Sequence, residues 1–104
     1  MSIYQIDPKT LINWQKNLKI ILIDVREVHE NNAEKIANST LIPLGSIDID
    51  KLPDLNDSKL IIYCRSGKRS MVAAEHLIAQ NPDLEIYNLD VGIEGWKACG
   101  FKII

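Results

Sequence analysis

Two unbroken apolar runs, Lys19-Ile20-Ile21-Leu22-Ile23-Asp24 and Lys59-Leu60-Ile61-Ile62-Tyr63, show no alternation between faces. That is the pattern of strands covered on both sides in a parallel sheet. Glu85 to Leu89 repeats it more weakly, and Ile3 to Ile6 predicts a short entering strand. Between the strands the spacing of apolar positions lengthens to that of helices. Asp7-Pro8 reads as N-cap and first helical residue, and Leu11, Trp14 and Leu18 mark one face of the helix that follows. Met71, Ala74, Leu77 and Ile78 predict a second helix through Gln80, closed by Asn81-Pro82. Ile93 to Cys99 predicts a third, with Gly100 placed to terminate it.

Three stretches are less marked. Glu27 to Lys35 is polar and predicts a short helix with a thin apolar face, and Leu41-Ile42 predicts a brief strand stopped by Pro43. Ser46 to Leu52 predicts one or two helical turns before Pro53-Asp54. Strands separated by helical stretches define an α/β fold: a central, mostly parallel sheet of about five strands with helices on both faces. No internal repeat or low-complexity tract interrupts it.

With 104 residues, 46% hydrophobic and 25% charged, the expectation is one domain over residues 1–104 of an ordinary soluble kind. The net charge of −2 and pI near 5.6 argue against nucleic-acid or membrane-surface partners, which call for a basic excess. No secretory signal and no membrane-length apolar run is visible, so a cytoplasmic location is expected. Cys64 and Cys99 are the only cysteines. They allow one bridge at most and lack nearby histidines for a metal site, so neither a disulfide nor a metal is expected. Cys99 reads as a packed, inert thiol, His29 and His76 as exposed or capping residues away from the site, and Trp14 and Trp96 as core or rim.

The chemistry concentrates where the second apolar run ends, in Cys64-Arg65-Ser66-Gly67-Lys68-Arg69-Ser70. Cys64 stands between a strand and a helix start, where loop and helix N–H groups form a concavity that favours negative charge. Arg65, Lys68 and Arg69 add three cations within five residues of it, and nearby cations lower a thiol's pKa. Gly67 supplies the backbone freedom of a tight cradle. Cations at a helix N-terminus oppose its dipole, so an anionic ligand is the expected reason for them. Asp24 and Arg26, at the end of the neighbouring strand, read as an ion pair or scaffold supporting the loop.

This loop after an apolar strand resembles the active-site loop of rhodanese-type sulfurtransferases. Leu22-Ile23-Asp24-Val25-Arg26-Glu27 resembles the family's strand ending in Asp-Val-Arg, and Ile42-Pro43-Leu44-Gly45 its Ile-Pro turn. Tyr87 through Trp96 resembles its closing strand and Gly-Gly-Ile-x-x-Trp segment, so the likeness spans roughly residues 3 to 103. The chain departs from the pattern at Asn31, where an aromatic residue is usual, at Glu34-Lys35-Ile36 in place of Gly-His-Ile, and at Val91 in place of a glycine.

The resemblance implies a rhodanese-like fold and a sulfurtransferase. Cys64 would take a sulfane sulfur from a small anionic donor such as thiosulfate, hold it as a persulfide, and release it to a thiol or cyanide. Arg65, Ser66, Gly67, Lys68, Arg69 and Ser70 would bind substrate, Asp24 and Arg26 would support the site, and neither metal nor organic cofactor would be needed. Two alternatives stay open. One is a sulfur-carrier or binding module fed by a partner protein. The other is a cysteine phosphatase or arsenate reductase of related fold, although such phosphatases place one residue more between Cys and Arg than the four separating Cys64 from Arg69.

Overall fold

A computed structural model describes residues 2–104. Five strands, β1 (Ser2–Ile6), β2 (Ile20–Asp24), β3 (Ser39–Leu41), β4 (Lys59–Tyr63) and β5 (Glu85–Leu89), form one sheet ordered β1-β5-β4-β2-β3. Every neighbouring pair is parallel, so the expected α/β architecture is the one observed. β4 lies in the middle. Its Ile61 faces Leu22 of β2 on one side and Tyr87 of β5 on the other.

The run Leu60-Ile61-Ile62-Tyr63 is continuously apolar because its alternate residues serve two cores. Leu60, Ile62 and Cys64 pack on one face with Ile23 and Ile86, under Ala73, Ala74, Leu77 and Ile78 of α3 (Lys68–Gln80). Ile61 and Tyr63 pack on the other with Leu22 and Leu89, beneath Leu11 of α1 (Pro8–Asn17) and Ile93 and Trp96 of α4 (Gly92–Ala98). Each fully buried Leu or Ile contributes about 1.5–3 kcal/mol relative to exposure, so this strand anchors both layers.

The helix starts follow the sequence. Asp7 accepts the Thr10 N–H at 2.8 Å, capping α1 with Pro8 in its first turn. Gly100 leaves α4 in the left-handed region at φ 78°.

Four expectations are corrected. Leu18 lies beyond the end of α1 and is exposed, because the chain turns extended there to enter β2. The third strand begins two residues before Leu41, at Ser39, released by a left-handed turn at Asn38. Its polar start gave no apolar signal. Within Ser46 to Leu52 only Ile49–Lys51 is a helical turn, a 3-10 one capped by the Asp48 carboxylate, and a further 3-10 turn, Leu44–Ser46, starts ahead of that stretch. Cys99 is exposed rather than packed: it follows the last residue of α4, and Phe101 folds back onto Trp96 to cover that end of the core.

Among the described residues, no helix is long and apolar enough to cross a membrane.

Candidate active site

The site forms at the carboxyl end of β4, where the sheet's central strand opens into a crevice between its neighbours. Cys64 follows β4 directly, is 1% exposed, and sits under the start of α3. Gly67 makes the turn possible. It caps α3 at φ 96°, and a Cβ there would lie 2.2 Å from the Asp90 carbonyl oxygen. That geometry aims the Gly67 N–H at Cys64 Sγ, 3.1 Å away.

A second donor comes from one turn into α3. Ser70 Oγ lies 3.4 Å from Cys64 Sγ and is fully buried. The same hydroxyl has the Gly67 carbonyl at 3.1 Å and the Asn88 side-chain oxygen within reach, so its one proton is shared between these acceptors and the sulfur. Asn88 is fully buried on β5, its amide nitrogen donating to Gln5 Oε1 at 2.8 Å and the Gly67 carbonyl at 3.3 Å. Burial pushes the Cys64 thiol up, but the Ser70 hydroxyl and the N–H groups of Ser70, Ser66 and Gly67 outweigh it and hold the thiol below its ordinary value.

The cations stand elsewhere than their place in the sequence suggested. Arg65 is exposed and pairs with Glu94. Arg69 is half-buried, giving Nη1 and Nη2 to the two carboxylate oxygens of Glu30 at 2.7 and 2.9 Å. Lys68 and Ser66 are exposed. The lowered thiol therefore owes more to hydroxyl and amide donors than to charge.

The loop is clamped from behind by α4. The Ile93 and Glu94 N–H groups donate to the carbonyls of Cys64 and Arg65 at 2.9 and 3.1 Å, meeting the first free donors of that helix. Gly92 permits the approach: at φ 61°, its added Cβ would lie 2.2 Å from the Arg65 carbonyl oxygen.

Asp24 and Arg26 form a buried bidentate pair, with Arg26 Nε and Nη2 on the carboxylate at 3.0 and 2.8 Å. Tyr63 donates its hydroxyl to Asp24 at 3.1 Å and also receives the Ile36 N–H. Burial keeps that phenol above its ordinary pKa, so it stays a donor. Arg26 Nη2 also reaches the Glu34 carbonyl at 2.8 Å, fixing the end of α2 (Val28–Ala33). The pair thus holds the end of the helix that carries Glu30, the partner of Arg69. α2 buries no residue, as its thin apolar face foretold.

A groove of about 370 Å³ runs beside the loop, bordered by Glu30, Glu34, Arg65, Glu94 and Lys97. His29, expected to lie away from the site, also lines it, because α2 packs along this edge.

The pattern of a Rhodanese-like domain matches residues 7–99. The chain belongs to the rhodanese-like family. Thiosulfate sulfurtransferase GlpE of Coxiella burnetii is 30% identical over 87 residues, covering 82% of this chain and 80% of that protein. An uncharacterized protein of Synechocystis is 31% identical over 99 residues, 95% of this chain, but the chain spans only 55% of its length. The crystal structure of a rhodanese-related protein from Thermoplasma volcanium superposes with a TM-score of 0.82 at 28% identity, covering 97% of each chain.

Against the rhodanese-like pattern, the three departures find their places. Asn31 donates to Asp24 at 3.0 Å, joining the buried pair with an amide where an aromatic ring is usual. Ile36 is buried beside Tyr63, while Glu34 and Lys35 face outward to Lys97 and to the backbone of Ile104. Val91 sits at a negative φ, where no glycine is needed, and leans over Gly95, whose added Cβ would lie 2.0 Å from it.

Asn88, Gln5, Glu30, Glu94 and Gly92 take part in the site without having been singled out from sequence. Asn88 carried a usable signal: a polar residue between Ile86 and Leu89, in a strand whose register sets it opposite Ile62.

Proposed function

We propose that the protein is a sulfurtransferase that carries a sulfane sulfur on Cys64. The observation that carries this reading is the sulfur's surroundings: a buried thiol with the Gly67 N–H at 3.1 Å and the Ser70 hydroxyl at 3.4 Å, held below its ordinary pKa. Those donors favour the thiolate, the form that attacks sulfur.

In the first half-reaction the thiolate attacks the outer sulfur of a donor. The Sγ–S bond forms as the donor's S–S bond breaks, and its electron pair leaves on sulfite, for thiosulfate, or on a thiolate, for an organic persulfide. The anionic persulfide then lies against the same amide and hydroxyl donors. In the second half-reaction an acceptor thiolate or cyanide attacks the outer sulfur, and Cys64 departs as thiolate. In this reading Ser66 and Lys68, exposed at the loop's rim, and Arg65, once released from Glu94, would meet donor or acceptor, while Gly67 and Ser70 serve the sulfur. No step requires a metal or organic cofactor. Two free thiols suit a reducing compartment such as the cytoplasm.

The test is steady-state transfer from thiosulfate or an alkyl persulfide to cyanide, followed as thiocyanate. Parallel double-reciprocal lines, lost in Cys64→Ser, support a ping-pong transfer. Intersecting lines, or turnover retained in that variant, overturn it.

A further inference from the structure

The fold commits two of the three loop cations to carboxylates. Arg69's fork, the geometry that would grip a small oxyanion, is filled by both oxygens of Glu30. Glu30 is itself fixed in place, accepting the Glu27 N–H at 3.0 Å in the capping box that starts α2. Arg69 holds the Glu30 carboxyl down at about 2, so its charge persists throughout the neutral range. Arg65 is likewise paired with Glu94, and Lys97 with Glu34 at 2.7 Å. Among the described residues Lys68 alone of the loop cations makes no ion pair.

The groove beside the loop is therefore rimmed by charges that compensate one another, with Ala33 and Ile93 giving its lining an apolar part. Its volume, about 370 Å³, falls in the range of sites for small organic ligands and exceeds what a compact inorganic anion occupies. A dianion approaching Arg69 meets the Glu30 carboxylate, and gains the guanidinium only if that pair opens.

Resting on Cys64 as the sulfur carrier, we propose that Glu30, and more weakly Glu94, are specificity-determining residues: by occupying Arg69 and Arg65 they disfavour thiosulfate and select an organic persulfide. Such a donor, R–S–SH, brings one negative charge or none to the loop. The Cys64 thiolate attacks its terminal sulfur, the bond between the two donor sulfurs breaks, and R–S⁻ departs. The proton stays on the transferred sulfur, and one negative charge stands on each side of the step.

The test is the second-order rate of sulfur loading on Cys64, read by rapid quench and intact mass, for thiosulfate and for the persulfide of 2-mercaptoethanol. Glu30→Gln removes the charge and keeps a residue that serves the same capping position. The ratio of thiosulfate to persulfide rates is expected to rise about tenfold at low salt, with the gain shrinking as salt is added. Glu94→Gln, at an exposed pair with no capping role, is expected to move the ratio the same way by about two- to threefold. An unchanged ratio in both variants, with Cys64 still loading, overturns the specificity assignment alone. No sulfur on Cys64 from either donor in the wild type overturns the sulfurtransferase reading beneath it as well.

Discussion

The two walls of the Cys64 loop are built from opposite chemistry. The inner wall is neutral and buried: the Gly67 N–H and Ser70 hydroxyl point at the sulfur, backed by Asn88 with no exposed surface. The outer wall is charged and wet, with Arg65 and Arg69 turned to Glu94 and Glu30. The difference teaches that charge close to a cysteine in sequence need not be the main hold on its sulfur: Arg69 feels the Cys64 thiolate, but the hydroxyl and amide donors act more strongly. A donor in a sheltered, low-dielectric site acts at full strength. An exposed ion pair is screened and partly cancels itself.

Removing the atom that the inner wall serves has the largest expected effect. Cys64→Ser should lower sulfur transfer at least about a thousandfold, the scale of a lost nucleophile, with thermal unfolding within a few degrees of wild type. Next comes the scaffold behind the outer wall. Asp24→Asn leaves the Arg26 guanidinium, 3% exposed, without its counter-charge. It should cost about 3–5 kcal/mol in denaturant unfolding.

The comparison itself is sharpened by Ser70→Ala against Arg69→Ala. Loss of the hydroxyl removes a donor that favours the thiolate, so the pH midpoint of iodoacetamide alkylation at Cys64 should move upward, with several-fold slower reaction at neutral pH. Arg69→Ala should move that midpoint less. Equal movement in both would return the cations to the control of the thiol.

The outer wall should show in stability against pH. Glu30 falls from 4.5 to about 2 in the folded protein, mainly through its hydrogen bonds to Arg69. Its contribution is therefore present above pH 4.5 and is lost as pH falls toward 2. The stability gap between wild type and Glu30→Gln, about 1 kcal/mol for a half-buried pair still open to solvent, should close over that window. The smallest effect belongs to exposed Cys99: Cys99→Ser should change turnover by less than about twofold.

Much of this molecule was legible in its sequence because the apolar runs carry a single meaning. Leu60 to Tyr63 cannot alternate between core and solvent, so the strand had to be covered twice, and the loop after it had to turn at Gly67. Ser39–Leu41 was harder to see, since a short edge strand with a polar start bonds through its backbone and leaves no hydrophobic trace. The partners of the cations were hidden for another reason. Glu30 lies 39 residues from Arg69, and Glu94 29 residues from Arg65, so only the closed sheet brings them together. Cys99 misled because helical spacing continues on paper past Ala98, where the helix itself stops.

The central claim is that the sulfur held by the inner wall becomes the carrier, and intact mass followed by peptide mapping tests it most directly. After incubation with a sulfane-sulfur donor, the protein should gain one sulfur atom, mapped to the peptide containing Cys64 and discharged by cyanide as thiocyanate. Ser70→Ala should reach the same product more slowly. No mass gain from either thiosulfate or an alkyl persulfide, or a gain that maps to Cys99 and survives in Cys64→Ser, would contradict the account.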